Sequence, residues 1–355
     1  MKLKSNSPIE TLIDELSEKV PQIMAEAGIP GLSFALIRDA QLAWAKGFGV
    51  MDVNTQEPVT TEIFFEGASL SKPPFACAAL MLHEQNLIGL DDPLSNYLSV
   101  PHVEDDSRLE LITMRNVLCH MCGLPNWRPK DEPLKIRLSP GERFSYSGEG
   151  YMYLQKAIEE VTGQSGETFM QSTLFKPLGM TQSTYLWSEE YVEPIATGHN
   201  RESEPAKKFY PKSMWSAASL HTTPSDYARF LVAMMDPKAN PTASLSSEIT
   251  ELMLTPQVSV NDSAPWHEDW PKETITIDES VSWGLGWGIQ HSAQGDSFWH
   301  WGDNFTFRAF AVGYREEGVG VVIMTNNPTR YELFGRICQI AIGGEYPGIE
   351  WLRSL

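Results

Sequence analysis

Strand-like segments near both ends of the chain constrain its fold most. Near the start, apolar runs at 31–37 and 42–45 flank a polar turn at 38–41, which predicts an antiparallel hairpin. Near the end, three further strand-like runs follow one another at 298–301, 307–314 and 319–325. We therefore expect the two chain ends to pair into one antiparallel sheet of about five or more strands.

Helical patterns surround these strands. Apolar residues recur every three or four positions from Ile9 to Met24 and again over 333–342, which predicts N- and C-terminal helices that flank the sheet. The middle of the chain is predicted to be mostly helical, with helices at 75–83, 151–161 and 227–235 and polar surface loops at 199–212 and 255–274.

These elements predict an α/β fold of the α+β type with two lobes. Residues 1–66 and 281–355 are expected to form the sheet domain, and residues 67–280 a mostly helical lobe inserted into it. A cleft between the two lobes is the expected place for an active site.

The charge balance argues against some partners. The chain has 27 Lys and Arg residues against 46 Asp and Glu, a formal net charge of -19, which disfavours nucleic acid and anionic lipid surfaces. We see no apolar run of about 18 residues that could span a membrane and no secretion signal at the start. The sequence therefore predicts a cytoplasmic protein without membrane or nucleic-acid partners, and it does not predict the oligomeric state.

The four cysteines give a weak signal. Cys77 and Cys338 stand alone in apolar runs and are predicted to be core residues. Cys119 and Cys122 form a single C-x-x-C motif without a second pair, which favours local packing over a metal or redox site. We expect no metal and no cofactor.

The segment 67–72 carries the first chemical signal. Its S-x-x-K spacing places Ser69 and Lys72 one helical turn apart, so that their side chains can touch. A desolvated lysine that has lost its proton can activate a serine hydroxyl, and a helix N-terminus offers N–H groups to an oxyanion. The alternative is a polar helix start with an exposed lysine. Pro73 and Pro74 predict a distorted first turn.

Two later motifs follow in a characteristic order. Tyr146-Ser147-Gly148 ends a turn that precedes a helix, and His300-Trp301-Gly302 ends a strand. With Ser69 and Lys72, they make the chain resemble the serine hydrolase superfamily of class C β-lactamases, D-Ala-D-Ala carboxypeptidases of the penicillin-binding type and family VIII carboxylesterases. The stretches that support this resemblance are 31–37, 90–98, 120–125, 177–181 and 283–288.

The resemblance implies roles for these residues. Ser69 would be the acylated nucleophile, and Lys72 and Tyr146 would share the acid and base work. A cationic Lys72 would then favour the phenolate of Tyr146. His300 would donate a hydrogen bond without bringing a fixed positive charge.

The resemblance also implies an oxyanion hole and a contact strand. The backbone N–H groups of Ser69 and Asp303 would stabilise the oxyanion. Gly302 would let the substrate lie close to its strand.

The chain departs from the family pattern at three positions. Gly148 replaces the usual Asn, which argues against specialised β-lactam turnover, and Cys122 replaces the usual Ser. Asp303 brings a carboxylate close to the expected oxyanion hole, so we expect it to turn away and pair, with Arg308 as one partner.

Four residues beside the motifs are candidates for an apolar acyl pocket: Asn126, Trp127, Trp301 and Phe305. Core packing is an equally good interpretation of each.

The leading functional prediction is a serine hydrolase that acts through an acyl-enzyme on a small ester, amide or peptide. We rank carboxylesterase first, D-amino-acid peptidase or amidase second and β-lactamase third, since the chain carries no visible export signal. The alternative from another class is a non-catalytic penicillin-binding or sensing protein with the same fold. Acyl transfer to an acceptor other than water also stays open.

Overall fold

The computed structural model describes residues 3–4, 7–103, 106–187, 195–239, 245–261 and 279–354. Its α-helices are α1 (Ile9–Ala27), α2 (Lys72–Glu84), α3 (Met114–Leu118), α4 (Gly148–Thr162), α5 (Gly166–Met170), α6 (Lys176–Leu178), α7 (Pro224–Met235), α8 (Ser247–Leu254), α9 (Glu332–Ala341) and α10 (Pro347–Ser354). Its strands are β1 (Gly31–Arg38), β2 (Gln41–Gly49), β3 (Phe65–Ala68), β4 (Ser183–Thr184), β5 (Leu220–Thr222), β6 (Val258–Ser259), β7 (Val281–Trp283), β8 (Gly288–Ser292), β9 (Gly295–Asp303), β10 (Arg308–Tyr314) and β11 (Val319–Thr325).

Eight of these strands form one antiparallel sheet in the order β2-β1-β11-β10-β9-β8-β7-β6. β1 pairs with β11 along its length, for example Leu32 with Thr325 and Leu36 with Val321. The expectation that the two chain ends build one antiparallel sheet is confirmed. The expected hairpin is β1 and β2, and the three expected C-terminal strands are β9, β10 and β11.

Helices cover both faces of the sheet. The ring of Phe310 on β10 packs 5.8 Å from Phe334 on α9, while Gly313, which points the other way, faces Met235 on α7. Because both faces are covered, every residue of β11 is buried. This explains why its sequence is a continuous apolar run and does not alternate with polar residues. Among the terminal helices, α9 packs against both α1 and α10, as expected for one layer of helices.

A second, three-stranded sheet has the order β3-β5-β4 and leads to the candidate nucleophile. β3 is buried along its length and ends one residue before Ser69. This small sheet therefore fixes where the S-x-x-K segment begins.

The segment 255–274 and helix α7 bear on two predicted boundaries. The stretch 255–274 was expected to be a surface loop, but Val258 and Ser259 pair with β7 as the edge strand β6. Residues 262–274 of that stretch lie outside the described residues. α7 falls within the predicted inserted lobe yet packs directly on β1 and β11. The division into a sheet domain and an inserted lobe stays a prediction. Among the helices described, none is long and apolar enough to cross a membrane.

Candidate active site

Ser69 lies at a sharp corner of the backbone. The preceding Ala68 has a φ of +45°, a conformation that residues with a side chain rarely adopt and that costs about 1–3 kcal/mol. The chain then makes a 3-10 turn, Ser69–Ser71, before α2 begins with Pro73 and Pro74 in its first turn. A proline is tolerated there because its missing N–H has no helical partner to lose. The expected distortion is confirmed, and it takes the form of this 3-10 turn.

Lys72 is buried beside the serine. Its Nζ donates hydrogen bonds to Ser69 Oγ (3.0 Å) and to the backbone carbonyl of Ala217 (2.9 Å), and its side chain is inaccessible to solvent. Burial disfavours the ammonium form and lowers the pKa of Lys72 to about 7. The alternative of an exposed lysine is therefore wrong, and a substantial fraction of the amine is neutral near pH 7.

Tyr146 lies on the other side of the lysine. Lys72 Nζ is 4.7 Å from the centroid of the Tyr146 ring. Burial raises the pKa of the Tyr146 hydroxyl well above its usual value, and its hydrogen bond with Ser69 offsets only part of that rise. The expectation that a cationic lysine would favour the phenolate is therefore wrong: burial dominates, so the phenol keeps its proton and the amine is the better base.

His120 is a site residue that the sequence interpretation missed. Its ring stacks on Tyr146 with centroids 4.2 Å apart, its Nδ1 accepts the N–H of Ser147 (3.1 Å), and its carbonyl accepts the N–H of Ser145 (2.7 Å). His120 thus contacts the phenol ring of Tyr146 and binds the backbone N–H groups of both of its neighbours, Ser145 and Ser147. The signal was the His120-Met121-Cys122 stretch, in which the histidine lies between the two cysteines of the C-x-x-C motif.

His300 is fully buried on β9 in the neighbourhood of Tyr146, with ring centroids 6.3 Å apart. Burial, together with a smaller contribution from nearby Lys72, lowers the pKa of His300 to about 3, so the ring is neutral near pH 7. Its Nδ1 lies within hydrogen-bonding distance of the backbone of Trp301, whereas its Nε2 has no partner among the described residues. That nitrogen is itself buried, so the expected hydrogen bond from His300 to a substrate stays a prediction.

Gly302 brings two strands together. A Cβ at this position would lie 2.1 Å from the carbonyl oxygen of Gly67, so only glycine allows β9 to approach β3 so closely. The expected reason was contact with the substrate. The described contact is with the protein's own backbone, two residues before Ser69.

The Asp303 carboxylate turns away from the expected oxyanion hole. Its Oδ2 accepts hydrogen bonds from the Arg308 guanidinium (2.7 Å) and the Tyr331 hydroxyl (3.1 Å). The Arg308 group also lies over the Tyr331 ring at 4.3 Å. The expectation that Asp303 pairs with Arg308 is confirmed.

Asn126 and Trp127 flank position 148. The side-chain oxygen of Asn126 accepts the N–H of Gly148 (3.1 Å), so it serves the start of α4. A Cβ at Gly148 would lie 2.8 Å from the Asn126 carbonyl oxygen and 3.0 Å from the Trp127 indole. Trp127 thus fills the space in which a longer side chain at position 148 would begin, and it is 39% exposed.

The two remaining pocket candidates, Trp301 and Phe305, differ in burial. Trp301 is only 3% exposed and packs 4.9 Å from the Tyr146 ring and 6.0 Å from Trp351, so the core-packing interpretation holds for it. Phe305 is 88% exposed at the tip of the β9–β10 turn, where it neither lines an enclosed pocket nor joins the core.

All four cysteines are buried and free. Burial raises the pKa of the Cys119 thiol to about 12 and also raises the pKa of the Cys122 thiol, which keeps both protonated and unreactive. Within the described part of the chain, no group of three or more His, Cys, Asp or Glu side chains could hold a metal ion.

The fold matches those of several solved structures. A class C β-lactamase superposes with a TM-score of 0.77 at 20% identity, over 93% of this chain and 95% of that one. A D-alanine carboxypeptidase, AmpC from Burkholderia cenocepacia, superposes with a TM-score of 0.76 at 18% identity, over 94% and 99%. At these identities the likeness defines the class of fold, that of the class C β-lactamases and D-alanine carboxypeptidases.

The sequence places the chain within a family. The model of the family described as Beta-lactamase matches residues 16–336, so the chain belongs to the β-lactamase family. A relative, the putative penicillin-binding protein PbpX of Bacillus subtilis, is 28% identical over 271 residues, which cover 71% of this chain and 65% of that protein. The chain thus spans less than two thirds of that relative's length.

Proposed function

We propose that this protein is a serine hydrolase that forms an acyl-enzyme at Ser69 and acts on uncharged carboxylic esters. The observation that carries the proposal is the buried amine of Lys72, 3.0 Å from the Ser69 hydroxyl, with a pKa of about 7. A serine next to such a base is activated for attack on a carbonyl carbon. Membership of the β-lactamase family supports the same chemistry.

Acylation would begin with the neutral amine. The Ser69 oxygen forms a bond to the carbonyl carbon while its proton passes to Lys72 Nζ, and the carbonyl π electrons move to the oxygen. The backbone N–H groups of Ser69 and Asp303 would stabilise that oxyanion. When the C=O bond re-forms, the bond to the alcohol oxygen breaks. The alcohol leaves with a proton supplied by Lys72 through the phenol of Tyr146.

Deacylation would use the same groups, with water as the nucleophile. Water bonds to the acyl carbon and gives a proton to the Lys72 and Tyr146 pair. The second tetrahedral intermediate then releases Ser69 Oγ, which recovers its proton, and the carboxylic acid leaves. The same step with an alcohol or amine in place of water would be acyl transfer.

An exposed aromatic array supports an apolar substrate. The rings of Trp127 and Trp215 are 6.3 Å apart, those of Trp215 and Phe209 are 5.9 Å apart, and all three side chains are about 40% exposed. Trp215 lies two residues before Ala217, which binds Lys72, and Trp127 lies against Gly148. Exposed aromatic groups that are connected in this way mark binding surfaces.

Charge and shape favour esters over β-lactams. His300 is neutral, and Lys72 is largely neutral above pH 7, so neither offers a permanent cation to a substrate carboxylate. Position 148 lacks the family's amide side chain, and Trp127 stands in its place. We therefore place D-amino-acid peptidase or amidase activity second and β-lactamase activity third.

The test is intact-protein mass spectrometry after exposure to a fluorophosphonate, a nitrophenyl ester and a penicillin. Wild type is compared with Ser69→Ala and with Ser247→Ala, a matched control on the exposed surface of α8. We expect a fluorophosphonate adduct and ester turnover in wild type and Ser247→Ala, and neither in Ser69→Ala. A protein that gains no adduct would overturn the proposal and favour a non-catalytic binding or sensing protein.

A further inference from the structure

A buried carboxylate that the proposed mechanism does not use lies three residues before Ser69. Glu66, on β3, is only 7% exposed. Its Oε2 accepts a hydrogen bond from Asn304 Nδ2 at 2.6 Å, and the backbone N–H of Phe209 donates to the same carboxylate. Glu66 thus joins three segments that are distant in sequence.

Asn304 is the residue that closes the turn between β9 and β10. Its side-chain oxygen accepts the N–H of Phe307 (3.0 Å), and its own N–H reaches the Phe307 carbonyl (3.3 Å). Asn304 directly follows Asp303, whose N–H is one of the two proposed oxyanion donors. A shift of the Asn304 side chain would therefore also shift the backbone N–H of Asp303.

The same two segments are also in contact between Gly67, one residue after Glu66, and Gly302, two residues before Asn304. The backbone of Gly302 packs so closely on Gly67 that a Cβ there would lie 2.1 Å from the Gly67 carbonyl oxygen. The side-chain bond from Glu66 to Asn304 and this backbone contact are two separate attachments between β3 and the end of β9. Of the two proposed oxyanion donors, the N–H of Ser69 lies two residues after Gly67, and the N–H of Asp303 lies between Gly302 and Asn304.

We propose that Glu66 is a positioning residue, whose ionised carboxylate holds the Asn304 turn and the Phe209 segment against β3 and so sets the spacing of the oxyanion hole. The inference rests on the proposed function. Oxyanion donors act through their placement, and a misplacement of about 1 Å reduces the rate roughly 10²-fold.

The ionised form of Glu66 offers the most acceptor sites to these two donors. A carboxylate accepts at both oxygens, whereas a protonated carboxyl or a glutamine amide turns one of its two polar atoms into a donor. Protonation of Glu66, or its replacement by Gln, therefore reduces the acceptor capacity that this buried side chain offers to the N–H groups of Asn304 and Phe209. Burial raises the pKa of Glu66 to about 7, which places this change near neutral pH.

The charged and titratable groups near Glu66 do not account for a change near neutral pH, which is therefore assigned to the Glu66 carboxyl. His221 lies opposite Glu66 on β5, and burial lowers its pKa to about 4, so it is neutral through this range. On the turn, the Arg308 guanidinium is bonded to the Asp303 carboxylate. Lys207 and Lys208 precede Phe209 on the third segment, and the causes that set the pKa of Glu66 are burial, Asn304 and Phe209.

The test is a pH series of ester hydrolysis from pH 5.5 to 8.5 for wild type, Glu66→Gln and Glu62→Gln. Glu62 is an exposed glutamate just before β3 and provides the same change of charge without the buried bonds. At pH 8.5 we expect Glu66→Gln to have a kcat about 10-fold below wild type with KM changed less than about two-fold. At pH 5.5, where Glu66 is protonated, the two should agree within about two-fold.

Three outcomes distinguish a failure of the Glu66 inference from a failure of the proposed function. If wild type turns over the ester and Glu66→Gln matches it at every pH, Glu66 is not a positioning residue and only this inference falls. If wild type neither turns over the ester nor gains a fluorophosphonate adduct, the proposed function falls and takes this inference with it. Asn304→Ser, which keeps Glu66, should reproduce the loss at pH 8.5, and an unchanged rate in that variant would also overturn the inference.

Discussion

The amine nitrogen of Lys72 lies 3.0 Å from the hydroxyl oxygen of Ser69, and the lysine has no solvent-exposed surface. Water cannot stabilise an ammonium ion there, and the hydrogen bond to the Ala217 carbonyl compensates only in part for the lost hydration. The burial that holds Lys72 against Ser69 therefore also makes its amine a base near neutral pH.

The first prediction concerns pH. Because burial lowers the pKa of Lys72 to about 7, the neutral and active amine gains population as pH rises through 7. We expect kcat/KM for a nitrophenyl ester to rise from pH 6 to pH 8. Lys72→Arg, which cannot release its proton in this range, should lose about 10²–10⁴-fold at every pH. A pH-independent wild-type rate would contradict Lys72 as the base.

The second prediction concerns His120. His120→Ala removes the ring under Tyr146 and the acceptor of the Ser147 N–H, so the phenol loses its fixed position. We expect kcat to fall roughly 10²-fold with little change in KM. His120→Asn should recover part of the loss, because its side-chain oxygen can accept that N–H and Asn tolerates the φ of +59° at this position. Equal losses in both variants would argue for a role of the ring alone.

Some of this site was readable from sequence because the signals are local. The three-residue step from Ser69 to Lys72 sets their contact, and alternating or continuous apolar runs locate the strands. The burial of Lys72 depends on Ala217, which is 145 residues away, and the bond from Glu66 to Asn304 joins positions 238 residues apart. Burial decides the charge of Lys72 and Tyr146, and it arises only when distant segments pack.

The third prediction concerns Gly148. A Cβ here would lie 2.8 Å from the Asn126 carbonyl oxygen, so Gly148→Asn should lower the free energy of unfolding by about 1–3 kcal/mol. Chemical denaturation measures this. Gly163→Asn is the matched control, since that glycine has a φ of +65° that Asn adopts and has nothing within 4 Å of its Cβ position. Efficient penicillin hydrolysis by Gly148→Asn would contradict the view that Trp127 excludes such substrates.

The fourth prediction concerns Asp303 and Arg308. Arg308→Met leaves the half-buried Asp303 carboxylate without its cation beside the proposed oxyanion hole. We expect kcat/KM to fall about 10-fold, because the uncompensated negative charge opposes the oxyanion. Adding Asp303→Asn removes that charge and should restore part of the rate, so the two changes should not be additive in a double-mutant cycle. Arg315→Met, at an exposed ion pair with Glu251, serves as the control.

The fifth prediction is that Glu66 reduces stability as pH rises. Its pKa is about 7 in the folded protein and 4.5 without the fold, so its contribution is fully present below pH 4.5 and is lost as pH rises through 7. This difference corresponds to about 3 kcal/mol by linkage. We expect Glu66→Gln to melt higher than wild type at pH 8.5 by several degrees more than at pH 5. Glu62→Gln should show no such pH dependence. A variant that is both more stable and slower at pH 8.5 would separate positioning from mere support of the fold, because a residue that only supported the fold would lower stability when replaced.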